Sequence, residues 1–334
     1  MRSTAKNFFL YRVAQDLWQR WGADGLRQSM LFLPSSRSKL FFVRYLRELA
    51  GKQPLVLPRW ATVTSEAERI AEIEVVEPLL LLPELFASYQ ELNKVSQFQE
   101  KETSEAFDEF YPVGITILHD FDQIDKYLVN ANELFQNIQA NSELSRRIDF
   151  LTEEQRSWLE KFFTRVANSP KSKLEQRYFD IWQLLGNLYE HLQGYITEHK
   201  EGYEGAVLRH ALKRIQDNPR IVCNKNVQHY AVVGFNALSA CEEKYFEYLK
   251  NEVGKENLLF YWDYPATLNP QHQNETENLR KDAGYFIRMH RTLGDALPQP
   301  ETENTEQTIE IIAAPSLLSQ ADVVRNILEK QTKE

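Results

Sequence analysis

Residues 34–39, Pro-Ser-Ser-Arg-Ser-Lys, gather the side chains in this chain best suited to holding an anion. The short apolar run Ser29–Leu33 precedes them, Pro34 closes it, and helical spacing begins just after. At such a strand-to-helix junction the hydroxyls of Ser35 and Ser36, the unpaired N–H groups of a helix's first turn, and the cations of Arg37 and Lys39 can together bind an anionic oxygen. The same residues also read as a plain helix N-cap followed by exposed basic side chains. The residues alone leave both readings open.

Other chemistry is less well provided for. A nucleoside triphosphate site of the common kind needs a glycine-rich loop whose N–H groups cradle phosphates, a Lys to neutralise them, and a Ser or Thr on magnesium. The two Gly-Lys pairs, Gly51-Lys52 and Gly254-Lys255, are followed by Gln53 and Glu256 and stand where helical patterns end, so turns are expected at both. His119, Asp120, Asp122 and Asp125 concentrate ligand-type residues, and three carboxylates suit a hard cation. Helical spacing points Asp120 and Asp122 apart, so the expectation is capping and solvated acids around Phe121, Ile124 and Leu128. His229, beside an apolar run, reads as a packed or edge residue, and no Gly-x-Ser-x-Gly or His-Glu-x-x-His pattern occurs. Cys223 and Cys241 are too few for a disulfide framework and lack zinc spacing, so they read as structural thiols in a reducing cytoplasm. No catalytic residue, metal or cofactor is expected.

Charge is unevenly distributed along the 334 residues, whose net charge is -9. Residues 1–60 hold eleven basic side chains (Arg2, Lys6, Arg12, Arg20, Arg27, Arg37, Lys39, Arg44, Arg47, Lys52, Arg59) against three acids (Asp16, Asp24, Glu48). The remainder carries 28 basic and 45 acidic side chains. A basic opening on an acidic body marks a local phosphate-binding surface, because each neutralised phosphate releases counterions. The alternative is a solvated basic face whose charges pair with acids elsewhere in the chain. A signal pattern is not evident, and apolar runs such as Val75–Leu82 fall far short of the ~20 residues that span a bilayer, so no membrane partner is expected.

The elements that must position these residues follow from periodicity. Phe8, Phe9, Tyr11, Val13, Leu17 and Trp18 predict a helix over 5–21 ended by Gly22 and Gly25, Ser29–Leu33 predicts a buried strand, and Lys39–Leu49 predicts a helix stopped by Gly51. Leu55–Thr64 has the content of extended structure, and Ser65 with Glu66 and Glu68 begins another helix. From about 79 to 217 the pattern is all-helical, clearest where Leu174, Tyr178, Ile181, Leu185, Leu188, Leu192 and Tyr195 return to one face. Tyr230–Val233 and Leu258–Trp262 restore strands around a helical Cys241–Lys250, the rhythm of a parallel sheet. A polar linker at Leu297–Gln307 precedes a last strand and helix at 308–331. The expected class is α/β, a parallel-sheet domain interrupted by a helical insertion.

Several segments, in order along the chain, resemble the AddB-like and RecC-like inactivated superfamily 1 helicases of bacterial helicase–nuclease complexes. They are FLPSSRSKLFFVRYLRELAG (32–51), DFDQIDKYLVNANELFQNI (120–138), LTEEQRSWLEKF (151–162), VVGFNALSACEEKYFEYL (232–249), LLFYWDY (258–264) and IEIIAAPSLLSQADVV (309–324). The resemblance implies a P-loop-NTPase-like motor domain 1A over residues 1–95 and 220–300. It implies a helical 1B-like insertion over 96–219, and a linker with the start of a second motor domain over 301–334. Members of the subgroup continue beyond this length to a PD-(D/E)XK nuclease, which would lie outside this chain.

For the site, the resemblance implies that residues 34–39 match an element touching the backbone of a single strand, and that Trp60–Thr64 match the next such element. Ser35, Ser36, Arg37, Lys39, Arg59, Trp60 and Thr64 are then the expected DNA contacts, with Arg59 and Trp60 pairing with or stacking on the strand. Trp60 as a core side chain remains the alternative. Val233 stands where active relatives carry the magnesium-binding acid, and Asp263 at the end of LLFYWD is the remaining carboxylate of that pattern. Only seven residues precede Phe8, too few for the phosphate-binding strand and loop. The implied function is a catalytically inactive scaffold that binds DNA, single-stranded or at a duplex end, beside a helicase or nuclease subunit during break repair. The alternative is a structural interaction module without DNA contact.

Overall fold

The computed structural model describes residues 8–95, 107–140, 173–263, 293–297 and 312–331. The expected Leu297–Gln307 linker, the strand from 308, and the 151–162 segment lie wholly or largely outside the described residues.

Four short strands, β1 (Ser29–Phe32), β2 (Arg59–Ala61), β5 (His229–Val233) and β6 (Leu258–Tyr261), form one parallel sheet in the order β2-β1-β5-β6. The chain is therefore α/β, with the strands predicted from SMLFL, YAVV and LLFYW paired side by side. Alternation along the strands divides the interior in two. Leu31, Leu33, Ala231, Val233 and Tyr261 face α1 (Phe9–Arg27) and α2 (Ser36–Ala50), whose Val13, Leu17, Phe42 and Leu46 are fully buried. Met30, Phe32, Tyr230, Val232, Leu258 and Phe260 face the opposite layer, which includes α3 (Val63–Ala71).

Local chemistry fixes several boundaries. Ser35 caps α2 by accepting the Ser38 N–H at 3.3 Å, and Gly51 ends that helix at φ 59°, a conformation that favours glycine. Thr62 and Ser65 form a reciprocal capping box, each side chain accepting the other's N–H at 3.0 Å, so α3 begins before Ser65 rather than at it. The first helix does not stop at Gly22: the backbone breaks there at φ 60° and resumes helical turns to Arg27.

Between β2 and β5 lie α4 (Pro78–Val95), α5 (Phe107–Lys126), α6 (Ala131–Ala140), α7 (Lys173–His199) and α8 (Glu204–Asp217). Their apolar residues, among them Leu82, Phe110, Phe121, Leu188 and Leu212, join one continuous core with the second face of the sheet. This stretch is not wholly helical, because β3 (Glu74–Val75) pairs in parallel with β4 (Glu201–Gly202). Helix α9 (Ala240–Val253) follows β5, opened by a Ser239–Glu242 capping box and closed by Gly254 at φ 85°. Helix α10 (Leu317–Gln331) is the last described element. No helix among the described residues is long and apolar enough to cross a membrane.

Candidate nucleic-acid interface

In open parallel sheets, ligand crevices form outside the carboxyl ends of neighbouring strands whose connections lead away in opposite directions. Here that point lies between β1 and β5: α2 leads from β1 to β2 over one face, and α9 leads from β5 to β6 over the other. The Leu33–Ser35 turn forms one lip. Gly234, at φ 73° with its N–H donated to the Tyr261 carbonyl, forms the other.

The structure divides the expected site residues among three places. Ser35 and Lys39 stand at the lip, and the Lys39 ammonium lies over the Trp60 ring, 5.6 Å from its centroid. Trp60 is half-buried on the α2 face of the sheet and meets Phe42 edge-on at 5.9 Å. The Ser35 hydroxyl is occupied by the cap and by the Ser38 hydroxyl at 3.0 Å. The backbone of Ser36 opens α2; its side chain lies outside the described residues. Arg37 is two residues from Lys39, so the helix turns it roughly 200° away, onto the exposed outer face. That face also carries Leu40, Phe41, Arg44, Arg47 and one acid, Glu48, all exposed.

Arg59 and Thr64 lie apart from this group. Neighbouring strand residues point to opposite faces, so Arg59 cannot share a surface with Trp60. Its guanidinium donates to the Lys225 carbonyl at 3.0 Å, beside the amino end of the sheet. Thr64 donates to the Glu204 carboxylate, which also receives Lys126 Nζ at 2.6 Å; Lys126 in turn lies 2.8 Å from Asp122. Burial alone raises the Glu204 pKa, but the hydrogen bonds from Lys126 and Thr64 outweigh it and hold the carboxylate below its usual range.

Three residues after Asp122 lies a buried polar centre that the sequence does not reveal. Asp125 is 0% exposed and accepts the hydroxyls of Tyr189 and Tyr203 at 2.6 Å each and the Gln193 amide at 3.1 Å. Arg209 Nε lies 2.9 Å from the same carboxylate, and its Nη2 donates to the carbonyls of Ile124 and Val129. Asp122 accepts the Gly205 N–H at 2.7 Å. Asp122 and Asp125 thus tie α5 to α7 and α8: Asp122 caps the first turn of α8 through the Gly205 N–H, and Asp125 is buried where a solvated acid was expected. Asp120 is exposed as expected, and its neighbour His119 is also exposed to solvent. The cause is the neighbouring helices, which supply enough donors to compensate a buried charge. No group of three or more His, Cys, Asp or Glu side chains among the described residues is placed to hold a metal ion.

The remaining candidates fall into structural positions. Gly51 and Gly254 are helix C-caps, and Val233 is fully buried at the end of β5. Asp263 follows β6 at the surface. His229 opens β5, stacks on Trp21 at 5.1 Å and hydrogen-bonds the Asn257 side chain at 3.2 Å.

Arg37, Lys39, Arg44 and Arg47 form no ion pair with a carboxylate among the described residues, although the chain as a whole is acidic. Elsewhere Arg20 pairs with Asp16, Arg69 with Glu66, and Arg214 with Glu72. Arg44 and Arg47 were not singled out as contacts by sequence, yet Arg44 recurs seven residues after Arg37, which is the spacing that would have found it. No protein-family model and no curated protein matches the sequence.

Proposed function

We propose that the chain is a non-hydrolysing, helicase-like module that binds single-stranded DNA through its backbone, as part of a larger helicase–nuclease assembly that processes DNA breaks. The observation that carries this reading is the row of cations on α2 without carboxylate partners among the described residues, beginning at the carboxyl end of a parallel sheet. Cations neutralised within the protein have little left to offer a phosphate, whereas Arg37, Arg44 and Arg47 stand exposed on the outer face of α2, where Glu48 is the one acid of that helix. Support for the motor-like ancestry comes from the parallel α/β sheet, the strand-to-helix turn at Pro34–Ser35, and the collinear segments that resemble the AddB-like family. Support for the absence of hydrolysis comes from Gly51 and Gly254, which cap helices where a phosphate loop would need glycine followed by a helix.

The test is binding of the full chain to a fluorescein-labelled oligothymidylate. Charge reversal at Arg37 and Lys39 abolishes the binding while the circular dichroism spectrum stays that of the folded chain. Binding that survives both reversals removes the reading.

A second reading, an interaction module with no DNA contact, is favoured by α10. Its Leu317, Leu318, Val324 and Leu328 are all exposed, and a helix of this length needs such a face packed to be stable in water. Under that reading a partner subunit binds with little response to salt.

A further inference from the structure

We infer that the outer face of α2 is a base-stacking platform, with the Phe41 ring seated between the cations of Arg37 and Arg44. The inference rests on the DNA reading above and adds that α2 meets bases as well as phosphates. Residues 37, 41 and 44 recur at i, i+4 and i+7, so they share one side of the helix over about 10 Å of its axis. Phe42 and Leu46, both fully buried against the sheet, fix which side that is. Phe41 is 46% exposed and its neighbour Leu40 72% exposed, and Phe41 has no aromatic or cation–π partner among the described residues. Trp60, the aromatic contact that the resemblance implies, cannot serve in the same way, because it is half-buried and Lys39 covers its ring.

The nature of the occupant follows from charge complementarity. A flat apolar group between guanidinium groups that hold no carboxylate among the described residues suits a polyanion bearing aromatic rings. Single-stranded nucleic acid has both features, and its bases stack on aromatic side chains with little regard to sequence. A partner protein on this face would have to supply acids for Arg37, Arg44 and Arg47 around an apolar contact for Phe41 and Leu40.

The test compares Phe41→Leu and Phe41→Tyr in the 334-residue chain, measured by anisotropy on labelled oligothymidylate. Leucine keeps apolar bulk and helix propensity but lacks a ring face, so affinity falls about tenfold while the dependence on salt stays as in the wild type. Tyrosine keeps the ring and binds like the wild type. If Phe41→Leu binds as tightly as the wild type while Arg37→Glu and Arg44→Glu do not bind, the stacking inference is wrong and the DNA reading stands. If the wild type does not bind at all, both fail. A wild-type dimer that sedimentation shows to be dissolved by Phe41→Glu would assign the face to a second copy of the chain and overturn the inference.

Discussion

Arg37 and Lys39 open the same helix and face different ways: Lys39 lies 5.6 Å from the centroid of the Trp60 ring, while Arg37 points outward with Arg44. Two positive charges two residues apart therefore belong to two different surfaces, and their removal has different consequences. Arg37→Ala removes one phosphate contact, lowering the magnitude of the salt slope of oligonucleotide binding by about 0.7 without altering the melting temperature. Lys39→Ala also uncovers Trp60 and loses a cation–π contact of about 0.5–1 kcal/mol, so it destabilises the fold measurably. Urea titration alongside the binding series checks this; equal stability of the two variants contradicts the assignment.

The Asp125 centre holds three helices together, and breaking it leaves charges or hydroxyls buried without partners. Asp125→Ala is expected to cost about 3–5 kcal/mol in urea denaturation, because it strands Arg209 as well as Tyr189 and Tyr203. Removal of an exposed neighbour, Asp120→Ala, changes stability by roughly 0.5 kcal/mol or less. Similar losses for the two substitutions would show that the buried network carries little.

Acid acts on the same region through His210, whose ring nitrogen lies 3.3 Å from the Gln193 side-chain oxygen. Burial lowers the His210 pKa, and the nearby Lys213, Lys200 and Arg209 charges add to the effect against Asp125. A histidine whose folded pKa lies below its unfolded value leaves the unfolded chain binding more protons as pH falls. Its contribution is complete above the unfolded value of about 6.5 and is lost progressively below it. Glu204, also lowered, contributes above the unfolded carboxylate value and is lost only in stronger acid, so the interval from pH 7.5 to 5.5 isolates the histidine. The wild type therefore loses more stability across that interval than His210→Gln. Parallel urea midpoints for both proteins would contradict the prediction.

Cys241 is buried and donates its thiol to the Asp125 carbonyl at 3.2 Å, and burial pushes its pKa up to about 12 despite the opposing charge of Arg209. Cys223 is half-buried, and its pKa is raised in the same direction by burial and then by Glu252. Since the thiolate is the reactive form, Ellman's reagent at pH 8 labels Cys241 only after unfolding. Prompt labelling of Cys241 in the folded protein would show that the helices around it open readily.

Much of the sheet was legible in the sequence because its strands are buried apolar runs with unambiguous ends: Pro34 after β1, Gly234 after β5, and the Gly254 turn before β6. Boundaries set by side-chain reciprocity were less visible. Ser65 with Glu66 and Glu68 looks like a helix start, and only its reciprocal hydrogen bonds with Thr62 move that start forward. The β3–β4 pair escaped because each strand is two residues long and its partner is distant in sequence. Asp122 and Asp125 carry a spacing that suits a solvated helix face equally well. The donors that make them interior groups come from Tyr189, Tyr203, Gly205 and Arg209, more than sixty residues away. At the candidate interface, adjacency in sequence suggested one patch. Period-two alternation sends Arg59 and Trp60 to opposite faces, and the helical turn separates Arg37 from Lys39.

The most direct test of the account is the salt dependence of oligothymidylate binding by the whole chain. Four cations on α2 meeting phosphates give a slope of log K against log salt of about -3, since each phosphate contact on a single strand contributes about -0.7. Replacement of Arg37, Lys39, Arg44 and Arg47 by glutamine flattens that slope to near zero with the fold retained. A wild-type slope near zero, or a steep slope that persists in the fourfold variant, would contradict the placement of DNA on α2.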